Sequence, residues 1–121
     1  MANDKKTIGV TSANAAILAD LLSQGHFASE IDAAKFAMAY AVRQGVKPGT
    51  TDGAGTKWNV GSVDPDGSLR AVVEILFPED RGEPYRLFEH LLNEGLSKLR
   101  EMSSAAPPDV FGLIFSGEAN R

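Results

Sequence analysis

His26 and His90 are the whole supply of imidazole chemistry in this 121-residue chain, and it contains no cysteine. The missing thiol removes disulfides, thiolate metal sites and cysteine catalysis together. Neither histidine belongs to a helix-spaced His, Asp or Glu pattern that makes a metal site convincing, so no metal and no cofactor is expected. His26 follows Gly25, where an imidazolium interacts favourably with the carbonyls of a helix end. Serines are plentiful, but no arrangement of Ser, His and Asp specifies a nucleophile with its base, and the chain is expected to be non-enzymatic.

Two loop motifs invite stronger readings. Gly49, Gly53 and Gly55, followed by Thr56-Lys57, suggest a phosphate loop, but a Walker loop needs a different spacing and a Gly-Lys-Ser/Thr ending. Asp64-Pro65-Asp66-Gly67-Ser68 looks like part of a calcium loop. No glutamate stands where the bidentate ligand would close it, so a β-turn is expected. An anion-binding set remains: Lys5, Lys6, Lys35, Arg43 and Lys47, with Thr7 on the strand and Ser29 at a helix start, whose first amides can accept a phosphate. The alternative for that set is an ordinary solvated surface.

The elements that must carry these residues follow from periodicity. Lys6-Thr7-Ile8-Gly9-Val10 alternates as a short strand, and Thr11 or Ser12 then caps a helix over about residues 12–24, which Gly25 ends. Ser29 and Asp32 approximate a capping box for a second helix running to about Gln44, before Gly45. On it Ile31, Ala34, Ala37, Met38, Ala41 and Val42 form one apolar stripe, and Ala33, Phe36 and Tyr40 form another beside it. Two apolar sides imply burial on two sides, so Ile31, Phe36, Met38 and Tyr40 are expected at an interface of a homo-oligomer.

Residues 46–67 read as a Pro/Gly/Thr-rich loop region, with Trp58-Asn59-Val60 briefly extended. The run Leu69–Phe77 fits strand or helix; Ser68 as a cap and Pro78 as a stop favour a helix. Pro84 opens a long helix over about 83–102, with Tyr85, Phe88, Leu91, Leu92, Leu96, Leu99 and Met102 on one face. Arg86, Glu89, His90, Asn93, Ser97 and Arg100 are expected on the solvated face. Gly95, inside the apolar stripe, predicts close approach of another helix despite roughly 1 kcal/mol of lost propensity. Residues 103–121 are expected as a linker, Ser103 to Asp109, and an apolar tail, Val110-Phe111-Gly112-Leu113-Ile114-Phe115.

The fold class is therefore mainly α: one domain over 1–121, a short N-terminal strand, about four helices and a short apolar C-terminal segment. It divides into a strand-helix-helix unit at 7–45, the loop region at 46–67, a helical region at 68–102 and the tail. The formal charge of −4 is uneven, +1 over residues 1–50 and −5 over 51–121. An acidic whole argues against a non-specific binder driven by phosphate neutralisation. No stretch is long and apolar enough for a bilayer span, and no signal-peptide core is present, so the expected compartment is cytoplasmic, without membrane contact.

The pattern Gly25-His26-Phe27-Ala28-Ser29, Asp32-Ala33, Phe36-Ala37, then Phe88-Glu89-His90-Leu91 and Asn93-Glu94-Gly95-Leu96, resembles the small accessory proteins encoded with bacterial DNA phosphorothioation (Dnd-type) defence systems. The first half also resembles a ribbon-helix-helix unit. The first resemblance implies a bacterial defence or DNA-modification context, and the chain is expected in a bacterial defence or mobile-element setting with a defence-system protein partner. The second implies a dimer whose paired strands enter the DNA major groove; from the anion-binding set, Lys5, Lys6, Thr7, Ser29, Lys35 and Arg43 are the expected contacts. The chain departs from a DNA-reading ribbon in offering Lys5, Thr7 and Gly9 outward, where base readout needs long side chains. The reading adopted is a self-associating accessory protein touching duplex DNA through its first half; the alternatives are a protein-interaction subunit with no nucleic-acid role and, third, a small enzyme with an unrecognised site.

Overall fold

The computed structural model describes residues 4–80 and 82–105, and side chains at 80 and 103–105 are not described. The order is β1 (Thr7–Val10), α1 (Ser12–Ser23), α2 (Glu30–Arg43), β2 (Gly55–Asn59), α3 (Val60–Val63), α4 (Ser68–Leu76), a 3-10 turn (Pro78–Asp80) and α5 (Pro84–Ala105). The mainly helical expectation holds, and Leu69–Leu76 is helical. The expected tail, Val110–Phe115, lies outside the described residues. The last helix runs through 103–105, which the sequence suggested as linker.

Caps set α1 and α2 as anticipated, whereas Ser68, expected as the cap of α4, is its first residue and Gly67 occupies the cap position without a side-chain bond. Thr11 accepts the Asn14 amide at the start of α1, and Ser29 accepts the Asp32 amide at 3.1 Å at the start of α2. Gly25 and Gly45 follow the two helices with φ of 79° and 78°, a left-handed conformation glycine adopts without a Cβ clash. The cap of α5 comes from far away: Asp4 accepts the amides of Tyr85 and Arg86 at 2.9 and 3.0 Å.

The core is built on α5, which packs mainly on α2 and also touches α1, α4 and β1. Phe88, Leu91, Leu92, Leu96 and Leu99 are fully buried against Ile8, Leu18, Leu21, Ala33, Ala37 and Ala41. Alanines along α2 and Gly95 on α5 let the two backbones meet: a methyl at Gly95 would fall on the carbonyl oxygen of Ala37. Met38, expected at an interface, is only 6% exposed and belongs to the core of its own chain.

β1 pairs with β2 in an antiparallel two-stranded sheet, Ile8 opposite Trp58 and Gly9 opposite Thr56, with an irregularity between Ile8 and Gly9. The second edge of β1 is also occupied. Glu89 accepts the Gly9 amide at 2.7 Å, Asn93 donates to the Gly9 carbonyl at 3.1 Å, and Asn93 Oδ1 accepts the Thr11 amide at 3.1 Å. Both edges being used, β1 lacks the open edge that a ribbon shared between two copies would need.

Candidate functional site

Glu89 and Asn93, which spacing placed on the solvated face of α5, are each 2% exposed. The correction has a physical cause: a strand edge laid along a helix needs donors and acceptors, and a long polar side chain supplies them without a third strand. Asn93 uses both ends of its amide, since Asn14 Nδ2 donates to its oxygen at 3.1 Å while its nitrogen donates to the Glu89 carbonyl at 2.8 Å. Ser97 extends the network to Asn14 Oδ1 at 3.3 Å. Among the described residues every buried side-chain nitrogen and oxygen has a hydrogen-bond partner. These polar groups, the most chemically suggestive of the helix, hold β1 and α1 in place.

The Asp64–Ser68 turn is likewise a capping device. Asp64, 5% exposed, accepts the amides of Leu69 and Arg70 at 2.9 and 3.0 Å and the Tyr85 hydroxyl at 2.8 Å. Burial pushes the Asp64 carboxyl up, but those three hydrogen bonds outweigh it and hold the group below the usual carboxylate range. The same contact, added to burial, pushes the Tyr85 phenol up to about 12. Asp66 accepts the Ser68 amide and hydroxyl at 3.0 and 2.8 Å. Among the described residues no group of three His, Cys, Asp or Glu could hold a metal ion.

The glycine-rich loop begins against α5, with Gly49 against the ring of His90 and Thr51 Oγ1 3.3 Å from His90 Nδ1. Beside it lies an open cleft of about 360 Å³, lined by Pro48, Gly49, Thr50, Glu79, Gly82, Glu83, Arg86 and Leu87. Its guanidinium is held by Glu83 at 2.6 Å, which leaves the lining rich in carboxylate.

The residues expected to touch DNA are not gathered into one basic surface. Lys5 turns to the buried Glu89, with Nζ 3.2 Å from its carboxylate, while Lys6 is exposed. Thr7 faces Thr56 across the strand pair at 3.4 Å. Ser29 is used as a cap, and Arg43 stands in the last turn of the same helix, about 20 Å away by helical rise. Lys35 is half-buried, with the field of its ammonium reaching Asp66. Lys57, at the end of the glycine-rich stretch, pairs with Glu30 at 3.3 Å and lies 5.8 Å from the Trp58 ring. Of the expected interface residues, Phe36 stacks with Tyr40 at a ring separation of 6.3 Å and meets Phe27 at 5.2 Å; these and Ile31 are half-buried against the core.

A different surface stands out. Val72, Ile75 and Leu76 of α4 are 45%, 76% and 45% exposed, on one face at i, i+3, i+4, while Leu69 and Val73 on the adjoining stripe are buried. Val72 and Leu76 share the helical spacing of Leu69 and Val73, so sequence alone does not separate the exposed row from the buried one. The available signal was crowding: five large apolar residues in nine positions exceed what one buried stripe holds. No helix among the described residues is long and apolar enough to cross a membrane. No family model, no curated protein and no solved structure matches the chain.

Proposed function

We propose that this chain is a non-catalytic protein-binding subunit that associates through the outer face of α4. The observation that carries the reading is the solvent-facing row Val72, Ile75 and Leu76 on a helix otherwise anchored by Leu69 and Val73. A contiguous apolar row kept in water at this density marks a contact surface more readily than scattered single residues do. Protein is favoured over duplex DNA as the partner because the candidate cations are spread along β1 and α2, and Lys5 is matched by a carboxylate. A phosphate-driven contact requires several uncompensated cations on one face.

A photo-crosslinking side chain at position 75, in the cells that make the protein, tests this. Discrete protein adducts are expected from position 75 and none from the exposed polar position Ser62. Retention on duplex DNA at low salt, falling steeply as salt rises, with no adduct from position 75, would overturn the reading.

A further inference from the structure

We propose that the α4 face docks an amphipathic helix of another protein whose apolar residues are followed by lysine or arginine, with those cations over the C-terminal end of α4. The proposal rests on the protein-binding reading above and names the chemistry of the partner. Val72, Ile75 and Leu76 stand at the i, i+3, i+4 spacing that the apolar face of a second helix can match. Exposed Ala71 lies one turn before Ile75, and exposed Pro78 carries the apolar surface past the end of the helix. Apolar surface on both sides leaves water on contact, the dominant favourable term in association.

Charge decides which partner fits. Residues 64–86 hold six Asp/Glu against three Arg and no Lys, a formal −3. Arg70 and Arg86 are each bound to a glutamate, Glu74 at 3.4 Å and Glu83 at 2.6 Å, and at about 100° per residue Arg70 points away from the apolar row. The two ends of the row differ. At the first, Asp66 is bound to the Ser68 amide and hydroxyl, and the field of Lys35 reaches it. At the far end α4 has no basic residue in its last turn, and its last carbonyls carry the negative end of the helix dipole. Exposed Glu79 stands three residues beyond Leu76, on the turn that packs against α4, and lines the cleft with Glu83. A partner's cation meets both a helix C-terminus and a carboxylate there, the setting that favours Lys or Arg at a helix end. The same charge disfavours the other occupants of an exposed apolar helix face. An anionic lipid surface or a nucleic acid would be repelled, and a second copy would bring the same carboxylates.

A display library of helical peptides, selected on the full chain and in parallel on Ile75→Asp and Glu79→Lys, tests this. Both positions are exposed, and circular dichroism should show parental helix content in each variant. The parent should enrich peptides with Leu, Ile or Phe at helical spacing followed by Lys or Arg, and Ile75→Asp should lose them. Glu79→Lys should weaken the enriched peptides about threefold to tenfold and reduce the dependence of their binding on salt. Enrichment of apolar peptides without basic flanks, or binding unchanged by Glu79→Lys, would overturn the basic partner while leaving the protein-binding reading standing. Enrichment that survives Ile75→Asp, or none at all, would overturn docking on α4 altogether. Sedimentation of the chain alone should give its single-chain mass of 12.9 kDa; a dimer that Ile75→Asp dissociates would overturn the proposal in favour of a second copy.

Discussion

Gly95→Ala is the sharpest probe of how this fold is held. Alanine is the better helix former by about 1 kcal/mol, so a solvated helix would gain stability. Here the added methyl meets the Ala37 carbonyl, a backbone atom that cannot rotate aside. Relief requires α2 and α5 to separate along the contact that buries Ala33, Ala37, Ala41, Leu92 and Leu96. Overpacking of this kind costs about 1–3 kcal/mol, and the rigid neighbour puts it at the upper end. Subtracting the propensity gain leaves a net loss of about 2 kcal/mol, a fall in Tm of roughly 8 °C for a chain of this length. Urea unfolding followed by circular dichroism should show a lower midpoint with an unchanged slope. Gly61→Ala, where a Cβ meets nothing within 4 Å, is the control and should be neutral or slightly stabilising. A Gly95→Ala chain as stable as the parent would refute the close-approach argument.

Three further outcomes follow from the polar contacts. Asn93→Leu leaves the Gly9 carbonyl and the Thr11 amide without their Asn93 partner, removes one of the two bonds that Asn14 Nδ2 donates, and should cost about 2–4 kcal/mol in urea unfolding, against little for Glu94→Leu on the half-buried side. Asp64 is held below its ordinary 3.8, so its contribution is complete above that pH and is lost as pH falls through the lower folded value; Asp64→Asn should reduce stability at pH 7 and flatten the acid limb below about pH 4. Tyr85, pushed up to about 12, favours the folded chain fully below about pH 10 and loses that contribution as pH rises towards 12; an ultraviolet phenolate titration should show this late step, absent in Tyr85→Phe.

Much of the fold was legible because its signals are local. The Thr11 and Ser29 caps, the glycines at 25 and 45 and the prolines at 78 and 84 bracket four helices, and Gly95 announced its close contact. What was not legible depends on partners distant in sequence. β2 begins in a glycine-rich stretch that looks like loop and becomes a strand because β1 supplies its ladder. Glu89 and Asn93 looked solvated because helical periodicity ranks residues by polarity, whereas a strand edge on that face demands polarity in the interior. The candidate site was hidden for the converse reason: Val72 and Leu76 resemble Leu69 and Val73 in type and differ only in which way α4 is turned.

The strand with two occupied edges also sets a timetable. Gly9 and Thr11 leave the ribosome first, yet the side chains that complete them belong to α5, 80 or more residues later. Until α5 is made, β1 carries an edge able to pair with any other exposed strand, the state most open to mispairing. Closing so long a loop precedes any reward from the contacts it brings together, so consolidation should be late and concerted. Arrest-peptide force measurements on nascent chains of increasing length should register no pull when only residues 1–67 have emerged and a single rise once Asn93 and the remainder of α5 have.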